Sequence, residues 1–426
     1  MGISKHKTDT SIAILLAAAF FSLYAHFGLR LAQGIYFDYL NLAFDFDPPY
    51  FINFLVGQMP DRVNYKHPLS MIFRPIASLF VLTGFAPKAA AVLVMALIGS
   101  LTVALVYGFC RLARFGRPEA AAATLLFGAS STSLFTAIVV ESYGWANFSI
   151  VLVWFLYVLG LRTSQVGTKT RLAAAVLVAG VTVTNVMHSL LAEFFALWRT
   201  TTLKRAIVRT AFFGFGTGLA MIVVLAILQP EELWNVVARP MQTAQEVYWL
   251  RTKGANSGLA DLMLTFFGYS FFSPGFTKVA ISPDVVMIDF RAFIYDHLVQ
   301  FSVFVWWAFA VIGIAIGLKH KEGQYRLIIT PLLAVIVLNL LLHLDYQFRG
   351  SLYIYAAHLH FPIFALAMGA APRVSEQHIR LRAVYVCVLL VLAASALAAN
   401  VQRTAEFVVM FDSLAFPADD AAIRWK

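Results

Sequence analysis

A charged stretch at residues 38–75 directly follows the first long apolar segment of the chain. It carries carboxylates, which can accept protons or bind cations, and basic groups, which can bind anions. These side chains are Asp38, Asp45, Asp47, Asp61, Lys66, His67 and Arg74. Because the sequence on either side is almost entirely apolar, this concentration of charge predicts an active-site loop beside the membrane.

The composition indicates the class of protein that must position this loop. The chain has 426 residues, of which 60% are hydrophobic and 13% charged, and its mean hydropathy is +0.77. Its apolar runs are continuous and long enough to span a bilayer, whereas a transmembrane barrel would show short alternating segments. We therefore predict an all-α, polytopic membrane protein.

The basic residues predict its orientation. Lys5 and Lys7 precede the first apolar run, which indicates a cytoplasmic N-terminus. The run at 89–110 ends beside three arginines and should finish in the cytoplasm, so the intervening run at 68–85 does not cross. Since Arg74 would be costly at mid-bilayer, we predict an interfacial helix at 68–85.

The later runs predict about eleven crossings, an external C-terminus and a multi-pass location in the plasma (inner) membrane. Residues 172–198 have basic clusters at both ends, which favours a hairpin of two short helices meeting near Thr184, Asn185 and His188. A long external region at 229–296 contains the aromatic segment 266–274, which is expected to be interfacial. The net charge of +10 reflects cytoplasmic loops rather than a nucleic-acid partner.

Several motifs resemble the GT-C superfamily of polyprenyl-phosphate-sugar-dependent glycosyltransferases, such as protein O-mannosyltransferases and the lipid A aminoarabinose transferase. The resemblance rests on the acidic external loop, Lys66-His67-Pro68-Leu69, the interfacial helix, residues 101–107 and 111–116, and the hairpin. The chain departs from the family pattern in having one proline after His67 where two are usual. It also lacks the family's adjacent Asp-Glu pair.

The resemblance implies a hexosyl or pentosyl transferase with an external active site. A polyprenyl-phosphate-linked sugar would be the donor, and a lipid, glycan or protein the acceptor. Asp47 is expected to be the base, followed by Asp45 and Asp38, and one of them could instead bind a divalent metal ion. The prolines after Asp47 are expected to keep this segment out of a helix. Alternatively, the three are ordinary solvated carboxylates.

The resemblance also implies a set of groups that bind the donor phosphate: Lys66, His67, Arg74, Arg349, Tyr353, His358 and His360. Glu141, in an external turn, would reach the same cleft. The alternatives are that the basic residues anchor lipid headgroups, that the histidines are packed helix residues and that Glu141 is an ordinary turn residue.

The chain divides into two predicted regions. Residues 1–210 form the GT-C-like module, with its catalytic loop at 34–67, and residues 211–426 form a variable transmembrane region. Two other functions are compatible with the sequence. A transporter or flippase would place charges at mid-bilayer and often shows repeats, and a non-catalytic component of envelope assembly would tolerate loss of the loop aspartates.

Overall fold

The structure is a computed structural model. It describes residues 2–40, 42–56, 69–163, 165–228, 230, 233–234, 238, 258–282, 285–290, 293–319, 325–345 and 351–413.

The helices of the first half are α1 (Gly2–Gln33), α2 (Pro48–Val56), α3 (Arg74–Leu82), α4 (Pro87–Leu112), α5 (Arg117–Ala129), α6 (Ser131–Ile138), α7 (Ser142–Thr163), α8 (Thr168–Val181), α9 (Val186–Trp198) and α10 (Leu203–Leu228). Those of the second half are α11 (Leu259–Leu264), α12 (His297–Leu318), α13 (Arg326–Asp345), α14 (Ala356–Ala367), α15 (Ala371–Ser375) and α16 (Ile379–Ser413). Two strands, β1 (Thr277–Ser282) and β2 (Val285–Asp289), pair as an antiparallel hairpin.

The chain is a polytopic helical membrane protein. In the described residues, eight helical segments are long and apolar enough to cross a membrane, and the pair α5 and α6, bent by 55°, makes a ninth. The hairpin helices α8 and α9 have 14 and 13 residues and are shorter than a full span. The eleven predicted runs thus correspond to eight long segments, one bent pair and two short helices.

The predicted hairpin at 172–198 is confirmed. Helix α8 ends at Val181, a 3-10 turn follows, and α9 begins at Val186. Arg171, near the start of α8, places its Nε 2.9 Å from Oε2 of Glu193 in the second half of α9. The two helices therefore run antiparallel, and their outer ends lie on the same side.

The interfacial helix predicted at 68–85 is shorter in the structure. A 3-10 turn at Ser70–Phe73 precedes α3, which has nine residues and is too short to cross a bilayer. It packs against α4. Pro75 occupies the first turn of α3, where its missing N–H leaves no helical hydrogen bond unmade.

The aromatic segment at 266–274, which was predicted to be interfacial, is largely buried within the protein. It packs against the bend between α5 and α6, where the amides of Ser131 and Thr132 donate to the carbonyls of Phe271 and Ser270 at 3.1 and 2.9 Å. A helix break inside a membrane leaves backbone groups without partners. This segment supplies those partners, and Asn400 of α16 adds bonds to the Ala129 and Phe271 carbonyls at 2.8 Å.

One short strand hairpin accompanies the helices of this all-α fold. Both strands are rich in β-branched residues, with the sequences TKVAIS and VVMID, as the strand preference of such side chains requires. The hairpin also pairs with the charged loop, because Ala43 forms a parallel bridge with Ile288.

Candidate active site

Strand β2 fixes the shape of the charged loop that follows α1. The Phe44 amide donates to the Ile288 carbonyl at 2.8 Å, and the Ile288 amide donates to the Leu42 carbonyl at 3.0 Å. These two bonds hold the backbone immediately before Asp45, so the position of this carboxylate is determined by a strand from the second half of the chain.

Phe44 and Asp45 both adopt left-handed backbone conformations, with φ of 55° and 60°. This region costs a non-glycine residue roughly 1–2 kcal/mol. The Phe44 side chain is fully buried and contacts several aromatic rings, among them Phe290 at a centroid distance of 4.7 Å and Tyr353 at 4.8 Å. This packing offsets the strain and keeps Asp45, itself only 8% exposed, turned inward.

Asp47 stands immediately before α2. The two prolines that follow it form the first turn of that helix, and residues 45–47 stay outside a helix, as predicted. Proline at the start of a helix loses no hydrogen bond, and its fixed φ suits the helix. The Tyr50 amide donates to the Asp47 carbonyl at 3.2 Å, which places Asp47 at the positive end of the helix dipole.

The turn between α6 and α7, which contains Glu141, packs against the loop that contains Asp45 and Asp47, since the Phe46 and Tyr143 rings lie 5.9 Å apart. We call Asp45, Asp47 and Glu141 the acidic cluster. Burial raises the pKa of Glu141 well above its ordinary 4.5, and the negative charges of Asp47 and Asp45 raise it further. Ser142 Oγ lies 3.5 Å from Glu141 Oε1. In the described part of the chain, the buried Oε2 has no hydrogen-bond partner.

The phenol of Tyr36 lies beside the acidic cluster. Burial raises its pKa well above 10.0, and the charges of Glu141 and Asp47 act in the same direction. Tyr36 therefore stays protonated and can donate a hydrogen bond. Its ring is held by Phe407 and Phe411 of α16, at centroid distances of 5.1 and 4.9 Å.

Histidine and tyrosine rings form the next layer, which we call the His–Tyr layer: Tyr143, His343, Tyr355 and His358. Tyr143 contacts Phe46 of the loop at 5.9 Å and His358 at 5.7 Å. His343 contacts Tyr355 at 4.5 Å. The layer thus continues from the acidic cluster to α13 and α14.

Three predicted site residues bond to partners outside the acidic cluster. Asp38 forms an ion pair with Lys88, with Nζ 2.7 Å from Oδ1, at the rim of a groove of about 730 Å³. Tyr353 shares a 2.6 Å hydrogen bond with Ser131 Oγ. His360 Nε2 lies 2.8 Å from Ser130 Oγ, and its buried ring contacts Phe127 and Phe271 at 4.4 and 4.8 Å.

The remaining predicted phosphate-binding residues are basic. Arg74 is half-buried at the start of α3, next to Phe73, whose ring contacts Trp145 at 5.5 Å. Lys66, His67 and Arg349 lie outside the described residues.

The possible metal ion can be tested against the carboxylates present. Throughout the described ranges, no three side chains of His, Cys, Asp or Glu come close enough together to hold a metal ion. The acidic cluster therefore does not provide a three-ligand set, and we derive no step through a metal.

The structure adds functional candidates that the sequence reasoning missed, namely Tyr36, Tyr143 and His343. His343 carried a usable signal, because it is an ionisable residue near one end of an apolar helix, and such residues often mark functional sites. Tyr36 and Tyr143 carried little signal, since tyrosines are common near membrane surfaces.

The fold resembles two solved structures. One is ArnT from Cupriavidus metallidurans bound to undecaprenyl phosphate, with 12% identity, a TM-score of 0.49, and coverage of 96% of this chain and 78% of that one. The other is the apo oligosaccharyltransferase from Archaeoglobus fulgidus, with 14% identity, a TM-score of 0.49, and coverage of 95% of this chain and 57% of that one. No family model matches the chain, and no curated protein matches it. The function is therefore inferred from the site.

Proposed function

We propose that this chain is a membrane glycosyltransferase of the GT-C type. It would transfer a sugar from a polyprenyl-phosphate-linked donor to an acceptor on the external side of the membrane. The observation that carries the proposal is the packing of the loop that contains Asp45 and Asp47 against the turn that contains Glu141, with Phe46 and Tyr143 at a ring-centroid distance of 5.9 Å.

The acidic cluster suits general-base catalysis. When carboxylates are buried together, mutual repulsion favours a proton on one of them and leaves another charged. Burial and its neighbours raise the pKa of Glu141, so Glu141 is the member that keeps the proton. Asp47 or Asp45 then accepts the proton of the acceptor's nucleophilic group, which is the task of the base in glycosyl transfer.

The backbone strain at the loop supports a functional position for Asp45. Left-handed conformations of non-glycine residues persist only where the surroundings enforce them, and they occur preferentially at functional sites. Here the Ile288 hydrogen bonds and the rings around Phe44 enforce the conformation. Ordinary solvated loop carboxylates would not need this support.

The His–Tyr layer suits the phosphate side of the reaction. As the bond between the sugar carbon and the phosphate oxygen breaks, negative charge develops on the departing phosphate, and nearby donors stabilise it. His358 and His343 stand close to the acidic cluster through Tyr143. Arg74, Lys66, His67 and Arg349 complete the proposed set, while Tyr353 and His360 are assigned to packing.

Both substrates can be placed in one displacement. The acceptor oxygen or nitrogen attacks the sugar carbon, its proton passes to the aspartate, and the polyprenyl phosphate leaves from the opposite face. A single displacement of this kind inverts the configuration at the sugar carbon.

The test compares Asp47→Asn with Asp38→Asn, which removes the same charge from the same loop outside the acidic cluster. Each variant is produced in a strain lacking the native gene, and envelope glycans are analysed by mass spectrometry. We expect Asp47→Asn to lower product formation at least about 10²-fold with unchanged thermal stability, while Asp38→Asn keeps the product. Equal activity of the two variants would contradict the assigned base, and an unchanged glycan profile on deletion would contradict the transferase.

A further inference from the structure

A second cavity lies toward the other end of α7, away from Glu141. It is enclosed by α7, α8, α9 and α10 and has a volume of about 450 Å³, within the range of small-molecule sites. Its lining is mostly apolar and includes Val153, Leu156, Ala174, Ala192, Ala196 and Phe213. The transferase mechanism proposed above does not use it.

The cavity is elongated along α9. It is lined by Ser189 near one end and by Arg199 and Thr200 at the other. Ser189 and Arg199 are ten positions apart in the chain, which corresponds to about 15 Å of helix, roughly the hydrocarbon depth of one membrane leaflet. The shape therefore fits a lipid chain better than a compact metabolite.

The charges along the lining favour an anionic headgroup at the Arg199 end. Glu193 is neutralised by Arg171, which lies 2.9 Å away. Arg199 is exposed, and no ion pair joins it to a carboxylate in the part of the chain that the structure describes. The lining therefore has one uncompensated positive charge, located at its mouth.

The surroundings give lipids access to this mouth. Only 11% of the apolar stretch of α10 is buried, so this helix forms the periphery of the bundle. Basic residues follow Arg199 at the start of α10, and such clusters lie on the cytoplasmic side of membranes. That leaflet is the one whose anionic lipids are recognised by basic pockets between helices.

We propose that this cavity binds an anionic phospholipid of the cytoplasmic leaflet. One acyl chain lies along α9 between α7 and α10, and the phosphate contacts Arg199 and Thr200. The site is separate from the acidic cluster and does not depend on the transferase assignment.

The test is native mass spectrometry of the full-length protein released from detergent, titrated with phosphatidylglycerol or with phosphatidylcholine of the same chains. We expect phosphatidylglycerol to bind at least about ten-fold more tightly, the factor that corresponds to about 1.4 kcal/mol and to one charge-assisted hydrogen bond. Arg199→Gln should remove this preference. Arg205→Gln, the same change at an exposed position outside the cavity lining, is the matched control and should keep it.

A second test fills the cavity with a larger side chain. Ala192→Leu fills the space beside α9 and should abolish binding of both lipids; Ala196→Leu serves the same purpose if the first variant does not fold. The proposal is overturned if Arg199→Gln and Arg205→Gln show the same preference between the two lipids. It is also overturned if a folded variant with the filled cavity still binds phosphatidylglycerol. Displacement of the lipid by equimolar inorganic phosphate would also overturn it, since the site would then recognise a free anion.

Discussion

The Tyr143 ring packs against the His358 ring at a centroid distance of 5.7 Å and an angle of 67°. Tyr143 follows Glu141 by two residues, and His358 belongs to α14, so this contact connects the acidic cluster to the second half of the chain. By contrast, His360 contacts Phe127, Phe271 and Ser130 instead.

This difference predicts opposite effects for the two histidines. His358→Gln should lower sugar transfer about 10²-fold, the loss typical of removing one donor to a developing negative charge, while thermal stability changes little. His360→Gln should lower the free energy of unfolding by roughly 1–2 kcal/mol through the lost Ser130 bond and ring packing but leave the transfer rate of the folded protein intact. If His360→Gln lowered sugar transfer and His358→Gln lowered only stability, the donor phosphate would lie near His360 instead.

The raised pKa of Glu141 predicts that the stability of the protein depends on pH. Its pKa is raised in the folded state, so the folded protein binds this proton more tightly than the unfolded chain. The stabilisation from protonated Glu141 is present below pH 4.5 and is lost as the pH rises toward the raised value. Glu141→Gln cannot ionise and should resist this loss, so its melting temperature in detergent should exceed that of the native protein at pH 8.

The control for that measurement is Glu406→Gln on α16, where the carboxylate pairs with Arg403 and is 39% exposed. It should keep the native pH dependence. An identical slope for Glu141→Gln and the native protein would show that Glu141 does not carry the effect.

The strained loop predicts a trade-off between stability and activity at Asp45. Asp45→Gly relieves a left-handed conformation that costs roughly 1–2 kcal/mol, although glycine also adds entropy to the unfolded chain. The free energy of unfolding should stay equal or rise by up to about 1 kcal/mol, while transfer falls at least about 10²-fold. Arg114→Gly, at φ 69° in the turn between α4 and α5, is the control and should keep full transfer.

Substitution of Asn400 is expected to cause a large loss of stability. It donates to the carbonyls of Ala129 and Phe271, and its Oδ1 accepts from the Ser273 amide at 2.7 Å. Leucine can replace none of these buried bonds, so Asn400→Leu should lower the free energy of unfolding by about 2–4 kcal/mol. Unfolding in mixed micelles measures this loss.

Asn339 is the matched control for this measurement. It is also buried, but in the part of the chain that the structure describes its amide bonds within its own helix, to the Val335 carbonyl at 3.0 Å. Asn339→Leu should cost less than about 1 kcal/mol. If both variants lose the same free energy of unfolding, the hydrogen bonds of Asn400 to Ala129, Phe271 and Ser273 are not what stabilises the bend between α5 and α6.

Local patterns predicted much of this fold. Continuous apolar runs identified the long helices, and basic clusters at both ends of 172–198 identified the hairpin that the Arg171–Glu193 pair closes. These features succeed because hydropathy and charge act on each segment separately in a membrane.

The site depended on contacts between distant segments, which the sequence could not reveal. The charges of Asp38 and Asp47 are equivalent in the sequence, but in the structure Asp38 pairs with Lys88, whereas the charge of Asp47 acts on Glu141. Glu141 could be suggested as a neighbour of the loop, but the strand that shapes Asp45 could not. A bridge between Ala43 and Ile288 has no local signature in a chain that is otherwise helical.

That bridge bears on how the protein matures during synthesis. The ribosome delivers Ile288 long after the loop residues, so helices from the first half can insert into the membrane before the loop has its partner. Pairing between segments that are far apart in the sequence forms late. The nascent chain should therefore become catalytically active only after β2 has been synthesised and has paired with the loop. A polypeptide released before β2 is synthesised would contain every member of the acidic cluster and still lack the strand that orients Asp45.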